Sequence, residues 1–122
     1  MKLSESEWQI MNALWERYPA SARDILERLP ENVNWAYTTL KTMLTRLVGK
    51  TVISERKRAN TSIYEPRLTR EKAQRNALRV LMDQAFDGAM GPLMHFLIED
   101  QKLSNKQREE LIQLLQENNL KN

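Results

Sequence analysis

Residues 35–47, WAYTTLKTMLTRL, constrain this chain more than any other stretch. Leu40, Met43, Leu44 and Leu47 recur at the three-and-four spacing of one helical face. At about 100° per residue, the opposite face collects Thr38, Lys41, Thr42 and Thr45, with Arg46 on its flank. A surface helix of this size ordinarily mixes Glu with Lys, yet no acid occurs between Asn34 and Lys50. Hydroxyls and cations are the groups that meet phosphate oxygens and base edges. The stretch therefore reads as a helix built to lie in a DNA groove. A merely solvated, threonine-rich face is the competing reading.

The charge distribution points the same way. The chain carries a formal net charge of +3, which alone says little. Residues 1–35 hold four bases against six acids, and residues 68–122 hold eight of each. Residues 36–67 hold seven bases against only Glu55 and Glu65, so the positive charge gathers in this helix and the twenty or so residues after it. A polyanionic partner is the natural inference.

Other function classes find little support. At 122 residues the chain suits one domain, or two very small ones sharing an interface. No apolar run approaches ~18 residues, so neither a membrane span nor direct membrane association is expected. The start, MKLSESE, turns acidic where a signal peptide would turn apolar. Cysteine is absent, which excludes disulfides, thiolate metal sites and a thiol nucleophile, and fits a cytoplasmic protein. His95 is the only histidine and sits among Met94, Phe96 and Leu97 without a nucleophile or carboxylate pair. Glycine occurs only at 49, 88 and 91, so no phosphate-cradling loop is present. The expectation is a protein without enzymatic activity, cofactor or metal.

Along the chain, Ser4 and Glu7 have the form of a capping box opening a helix over roughly 5–17. That helix is expected to bury Trp8, Met11 and Trp15, with Leu14 at the edge of the stripe and Ile10 off it. Tyr18-Pro19-Ala20 breaks it, Ser21 caps a second helix through Ile25 and Leu26 to about Leu29, and Pro30 follows. The third helix should run from about Ala36 to Val48, with Trp35 packing at its entrance and Gly49 as its stop. Two strands are expected at 51–57 and 62–65, around a loop at 58–61 where Asn60 can adopt left-handed angles. Arg56, Lys57 and Arg58 are placed at the hairpin tip.

Three helices and a basic hairpin spell a winged helix-turn-helix. In that arrangement the third helix enters the major groove and the hairpin follows neighbouring phosphates. Lys41, Thr42 and Arg46 are assigned to the groove, with Tyr37 beside them, and Thr38 and Thr45 to positioning. Arg56, Lys57, Arg58 and Asn60 form the DNA-binding wing. Edge strands also carry Lys or Arg simply to prevent aggregation, so the hairpin gains weight from its place after this helix. The rival function is a winged helix used for protein–protein contact without sequence-specific DNA binding.

Beyond Pro66, Thr69 opens a fourth helix to about Phe86 with Ala77 or Leu78, Leu81, Met82, Ala85 and Phe86 apolar. Leu93, Met94, Leu97 and Ile98 make another apolar face, 99–102 a turn, and Ser104 with Gln107 caps a last helix. Such a layer buries too little apolar surface alone. It packs either back onto the winged helix or, as preferred, on a second copy. The expected fold is thus mainly α with a small β-hairpin. A winged helix occupies 1–68 and a helical dimerisation module 69–122. Leu78, Leu81, Met82, Leu93, Leu97, Leu111 and Leu115 are placed at the interface. A two-fold dimer would present two recognition helices to successive major grooves. Met43, Met82, Met90 and Met94 are core filler rather than a metal path.

The residues Ser6-Glu7-Trp8-(x2)-Met11-(x3)-Trp15, Ser21-Ala22-(x2)-Ile25 and Trp35-Ala36-Tyr37-x-Thr39-(x2)-Thr42-(x3)-Arg46-Leu47, then Lys50, Ile53 and Ile63-Tyr64-x-Pro66, carry a family likeness. With them the chain resembles the penicillinase repressor family, the group called BlaI/MecI/CopY. The resemblance covers the winged helix strongly and the tail more loosely. It implies a homodimeric repressor on a palindromic operator of double-stranded DNA, with interlocked C-terminal helices. For the antibiotic-resistance members it further implies that a membrane sensor peptidase, or another protease, triggers cutting within the module before a Phe preceded by Asn. Here Phe96 matches and His95 stands in place of the Asn, which weakens the parallel. The copper-responsive branch ends in paired Cys-x-Cys motifs that this chain lacks, excluding metal release by that route.

Overall fold

Helix α1, Glu5–Glu16, starts where the sequence signals it should. The Ser4 hydroxyl accepts from the Glu7 backbone N–H at 3.1 Å, and the Glu7 carboxylate accepts from the Ser4 N–H at 2.8 Å. The computed structural model describes residues 2–99 and 104–120 of the chain. In chain order it contains α1, strand β1 (Ala20–Ser21), α2 (Ala22–Arg28), α3 (Tyr37–Gly49), β2 (Ile53–Arg58) and β3 (Thr61–Pro66). Helices α4 (Arg70–Ala85), α5 (Met90–Glu99) and α6 (Asn105–Leu120) follow. The chain divides into two compact units, Met1–Ala77 and Leu78–Asn122.

In the first unit, the apolar faces of α1, α2 and α3 converge on the sheet. Leu40, Leu44 and Leu47 of α3 are completely buried, as are Ile10, Met11 and Leu14 of α1 and Ile25 of α2. Each such side chain contributes about 1.5–3 kcal/mol relative to exposure. Ile10 corrects the expectation: it is core, while Trp8 and Trp15 are only partly buried. The buried stripe of α1 is centred between Ile10 and Leu14, leaving the two indoles at its margin in an edge-to-face pair 6.0 Å apart. The margin suits them, because an indole N–H needs an acceptor; that of Trp15 donates to the Leu68 carbonyl at 3.0 Å.

A third strand joins the expected hairpin. The sheet order is β1-β3-β2, all antiparallel, with Ala20 opposite Tyr64 and Ser21 opposite Ile63. Ser21 also caps α2: its hydroxyl accepts from the Asp24 N–H at 3.1 Å, and the Asp24 carboxylate accepts from the Ser21 N–H at 3.0 Å. The far end of α1 has no basic residue of its own in its last turn. Arg28 of α2 serves it instead, donating to the carbonyls of Ala13 at 3.0 Å and Arg17 at 2.7 Å.

The end of α3 departs from expectation by two residues. Gly49 is the last helical residue, and the left-handed position falls on Thr51, at φ 62°. Thr51 N–H donates to Val48 O and Val52 N–H to Leu47 O, both at 3.0 Å, which is the Schellman pattern with Thr51 as the left-handed residue. Strand β2 therefore starts at Ile53 rather than 51. The ladder then continues to Arg58 opposite Thr61, leaving only Ala59 and Asn60 as the turn. Ala59, not Asn60, takes the left-handed angle, at φ 55°.

Helix α4 starts in the first unit after Thr69, runs into the second, and ends there at a turn closed by Gly88 N–H to Met82 O at 2.8 Å, with Asp87 and Gly88 both at positive φ. Thr69 caps the helix as expected, its hydroxyl accepting from the Lys72 N–H. Ser104 and Gln107 form the reciprocal pair that opens α6. Met82 and Leu93 are buried, Leu78, Leu97 and Leu111 are half-buried, and Leu81 and Phe96 are exposed. The turn expected over 99–102 lies outside the described residues beyond Glu99, and so does the side chain of Leu115.

Candidate nucleic-acid interface

Burying Leu40, Leu44 and Leu47 turns the other side of α3 outward. Thr38, Thr42, Thr45 and Arg46 are exposed, and Lys41 is partly so. The strip expected from the helical period is therefore a surface. The Thr42 hydroxyl donates to Thr38 O and the Thr45 hydroxyl to Lys41 O, both at 3.0 Å. Each hydroxyl spends its proton on its own helix and keeps lone pairs for an outside donor. In this rotamer they are suited to accept from a base amino group, not to donate to a phosphate.

Lys41 is fixed from below. Its ammonium donates to the hydroxyl of buried Tyr64 on β3 at 3.0 Å. That hydrogen bond raises its pKa, against the opposing effect of burial. The ammonium also lies 5.6 Å from the Tyr64 ring centre, but it reaches the hydroxyl end of the ring, so the hydrogen bond rather than a ring-face contact holds it. At the other end of α3, Lys50 pairs with Glu7 at 2.8 Å. Burial would push the Glu7 carboxyl up, but hydrogen bonds from Lys50 and from Ser4 outweigh it and hold the pKa below its ordinary value.

The wing is arranged differently from the expectation of a three-residue basic tip. Arg56 lies along β2 opposite Ile63, and its guanidinium pairs with Glu65 at 3.0 Å. Arg58 stands at the turn, paired with Thr61. Lys57, on the opposite side of the strand by the two-residue alternation, lines a cleft of about 410 Å³. That cleft is bounded by Ser21 and Arg23 of α2, Tyr37 and Lys41 of α3, and Asn60 with its neighbours on the hairpin. No acidic side chain lines it among the described residues.

The structure thus brings Tyr37, Lys41, Lys57 and Asn60 to one cleft, and sets Thr38, Thr42, Thr45 and Arg46 on the adjoining helix surface. Arg46 borders a separate hollow of about 290 Å³ with Ser4, Glu7 and Lys50. Sequence reasoning missed Arg23, whose guanidinium carbon lies 5.6 Å from the Tyr37 ring centre. Its only signal was a base, one of four, in an N-terminal stretch of net negative charge. Trp35 is partly buried against the core, as a packing residue should be. In the second unit, His95 and Phe96 are both exposed on α5, and no described helix is long and apolar enough to cross a membrane.

The chain is similar to several known proteins. The penicillinase repressor of Staphylococcus aureus is 25% identical over 115 residues, covering 94% of this chain and 91% of that protein. The methicillin resistance regulatory protein MecI of Staphylococcus aureus (strain N315) is 26% identical over 114 residues, covering 93% of each. The solution structure of the DNA-binding domain of the repressor BlaI matches with a TM-score of 0.51 and 24% identity. It covers 59% of this chain and 93% of that domain, and establishes the winged-helix fold. The penicillinase repressor family model matches residues 3–117, and the chain belongs to that family.

Proposed function

We propose that this protein is a sequence-specific DNA-binding transcriptional repressor that acts in the cytoplasm as a homodimer on a palindromic operator. The observation that carries this reading is the exposed, acid-free face of α3 adjoining a cleft with Arg23, Lys41 and Lys57 on its walls. Thr42 and Arg46 read base edges, Thr38 and Thr45 set the helix position, and Lys41 and Tyr37 meet the groove rim. Lys57, Arg58 and Asn60 follow the backbone, with Arg56 contributing once Glu65 yields it. The relative named a penicillinase repressor and the likeness to the DNA-binding domain of the repressor BlaI support the same role.

Residues 69–122 serve as the dimerisation module in this proposal. Leu81 and Phe96 are large apolar side chains left 45% and 55% exposed in the single chain. Release of DNA follows cutting between His95 and Phe96 by a membrane sensor peptidase or another protease. That bond lies inside α5, so a protease must first unwind the helix locally. Selecting bound fragments from the source genome, then titrating the best one with salt, tests the core of the proposal. A steep loss of affinity with salt and a recurrent inverted repeat are expected. Fragments without a shared sequence would refute specific recognition.

A further inference from the structure

Arg23 belongs neither to the recognition strip nor to the wing, yet it faces the cleft between them. We propose that this cleft seats backbone phosphates of one DNA strand and that Arg23 is a phosphate ligand, with Tyr37 as its positioning residue. The inference rests on the DNA-binding reading above and deepens it.

Three observations carry it. First, the cleft walls offer cations and neutral donors only: Arg23, Lys41 and Lys57 with Ser21, Asn60 and Ser62. A cavity of that composition suits a phosphodiester, which is anionic and rich in acceptors. Second, Arg23 is unspent. Its neighbour Asp24 is engaged by the Ser21 N–H in the α2 cap, and Arg23 forms no ion pair among the described residues. Arg56 contrasts with it, being already paired to Glu65. Third, the Arg23 guanidinium is set against the exposed Tyr37 ring. The guanidinium carbon lies 5.6 Å from the ring centre, so the ring limits where the cation can swing without consuming its N–H donors, which remain for phosphate oxygens. Because α3 and the wing both line the cleft, a strand passing from one to the other runs by Arg23.

The test uses the full chain and a fluorescent random-sequence duplex of about 30 base pairs, titrated between about 50 and 200 mM salt. Arg23→Gln should flatten the log–log salt slope by about one unit per bound protomer and weaken low-salt binding roughly tenfold. Arg23→Lys should keep the slope and lose part of the affinity, since the point charge remains without the fork. Tyr37→Leu should weaken the parent protein but add little on top of Arg23→Gln, the signature of two residues acting as one. Arg17→Gln, an exposed base outside the cleft, should leave the slope unchanged. Parental slope and affinity in Arg23→Gln would overturn the phosphate seat while leaving DNA binding intact. An equal slope change in Arg17→Gln would overturn it too, as a bulk charge effect. Full additivity of Tyr37→Leu and Arg23→Gln would remove Tyr37 from the proposal. Failure of the parent to bind the duplex at all would defeat the DNA-binding reading, and the seat with it.

Discussion

The Lys41 ammonium and the buried Tyr64 hydroxyl meet at 3.0 Å, tying the middle of α3 to the central strand of the sheet. Tyr64→Phe removes the acceptor and should cost about 1–2 kcal/mol in urea unfolding at neutral pH. The pH dependence has a definite sign. Lys41 has its folded pKa raised by this contact, so its stabilisation is fully present below the ordinary lysine value. It is lost as pH rises through the raised one. The gap between parent and Tyr64→Phe should therefore be equal at pH 7 and pH 9 and narrow only in the alkaline lysine range. A gap that closed below that range would assign the effect to a different group.

The end of α3 puts its special residues in the wrong places. Gly49 is helical, with nothing within 4 Å of an added Cβ, whereas β-branched Thr51 bears the left-handed angle. Gly49→Ala should raise stability by about 0.5–1 kcal/mol. Thr51→Gly removes a strain of about 1–2 kcal/mol at the cost of some chain entropy, for a smaller net gain. Thermal unfolding of each variant checks both signs, and a lower midpoint for Gly49→Ala would contradict the helical assignment.

That same site shows what is and is not legible in the sequence. Periodicity locates α3 because the spacing of Leu40, Met43, Leu44 and Leu47 is local and strong. Capping at Ser4, Ser21, Thr69 and Ser104 is legible for the same reason: donor and acceptor lie three residues apart. The Schellman position is not, since a Gly at 49 is a better-looking stop than a Thr at 51. Strand β1 is invisible because two residues, Ala20 and Ser21, carry no pattern; β3 pairing alone defines them. The cleft leaves no local signature because Arg23 and Lys57 are far apart in the chain. The Arg56–Glu65 pairing depends on hairpin register, which shifts with the two-residue turn.

Arg28 closes α1 by bonding two carbonyls from a neighbouring helix. Arg28→Met keeps much of the aliphatic stem and loses both bonds, so it should destabilise by about 1–3 kcal/mol. Arg28→Lys should recover part of this, since one terminal nitrogen of Arg28 makes both bonds and an ammonium has donors enough for two carbonyls but a shorter reach. Equal stability of parent and Arg28→Met in urea would mean that solvent serves those carbonyls as well.

Reading and anchoring should separate in DNA binding. Arg46→Ala or Thr42→Ala should lose roughly 1–3 kcal/mol on the selected operator and less on random duplex. Arg58→Ala should weaken both alike and lower the salt slope by about one unit. Lys57→Ala should weaken binding more than Arg56→Ala, because Lys57 faces the cleft while Arg56 is held by Glu65. Anisotropy titrations on both duplexes measure all five. Equal losses for Arg46→Ala on operator and random DNA would make it an anchor instead of a reader.

Dimerisation is best tested at Leu81, which is 45% exposed in the single chain. An aspartate there costs a monomer little, whereas in an apolar interface it buries a charge without a partner. Leu81→Asp should therefore keep its helical circular dichroism and sediment as a monomer. Operator affinity should drop by about two to four orders of magnitude as the second half-site becomes a separate binding event. Leu111→Asp should also dissociate the dimer, but Leu111 is half-buried within its own chain, so some loss of helix is expected. A Leu81→Asp protein that remains dimeric with unchanged operator affinity would move the interface off this face of α4.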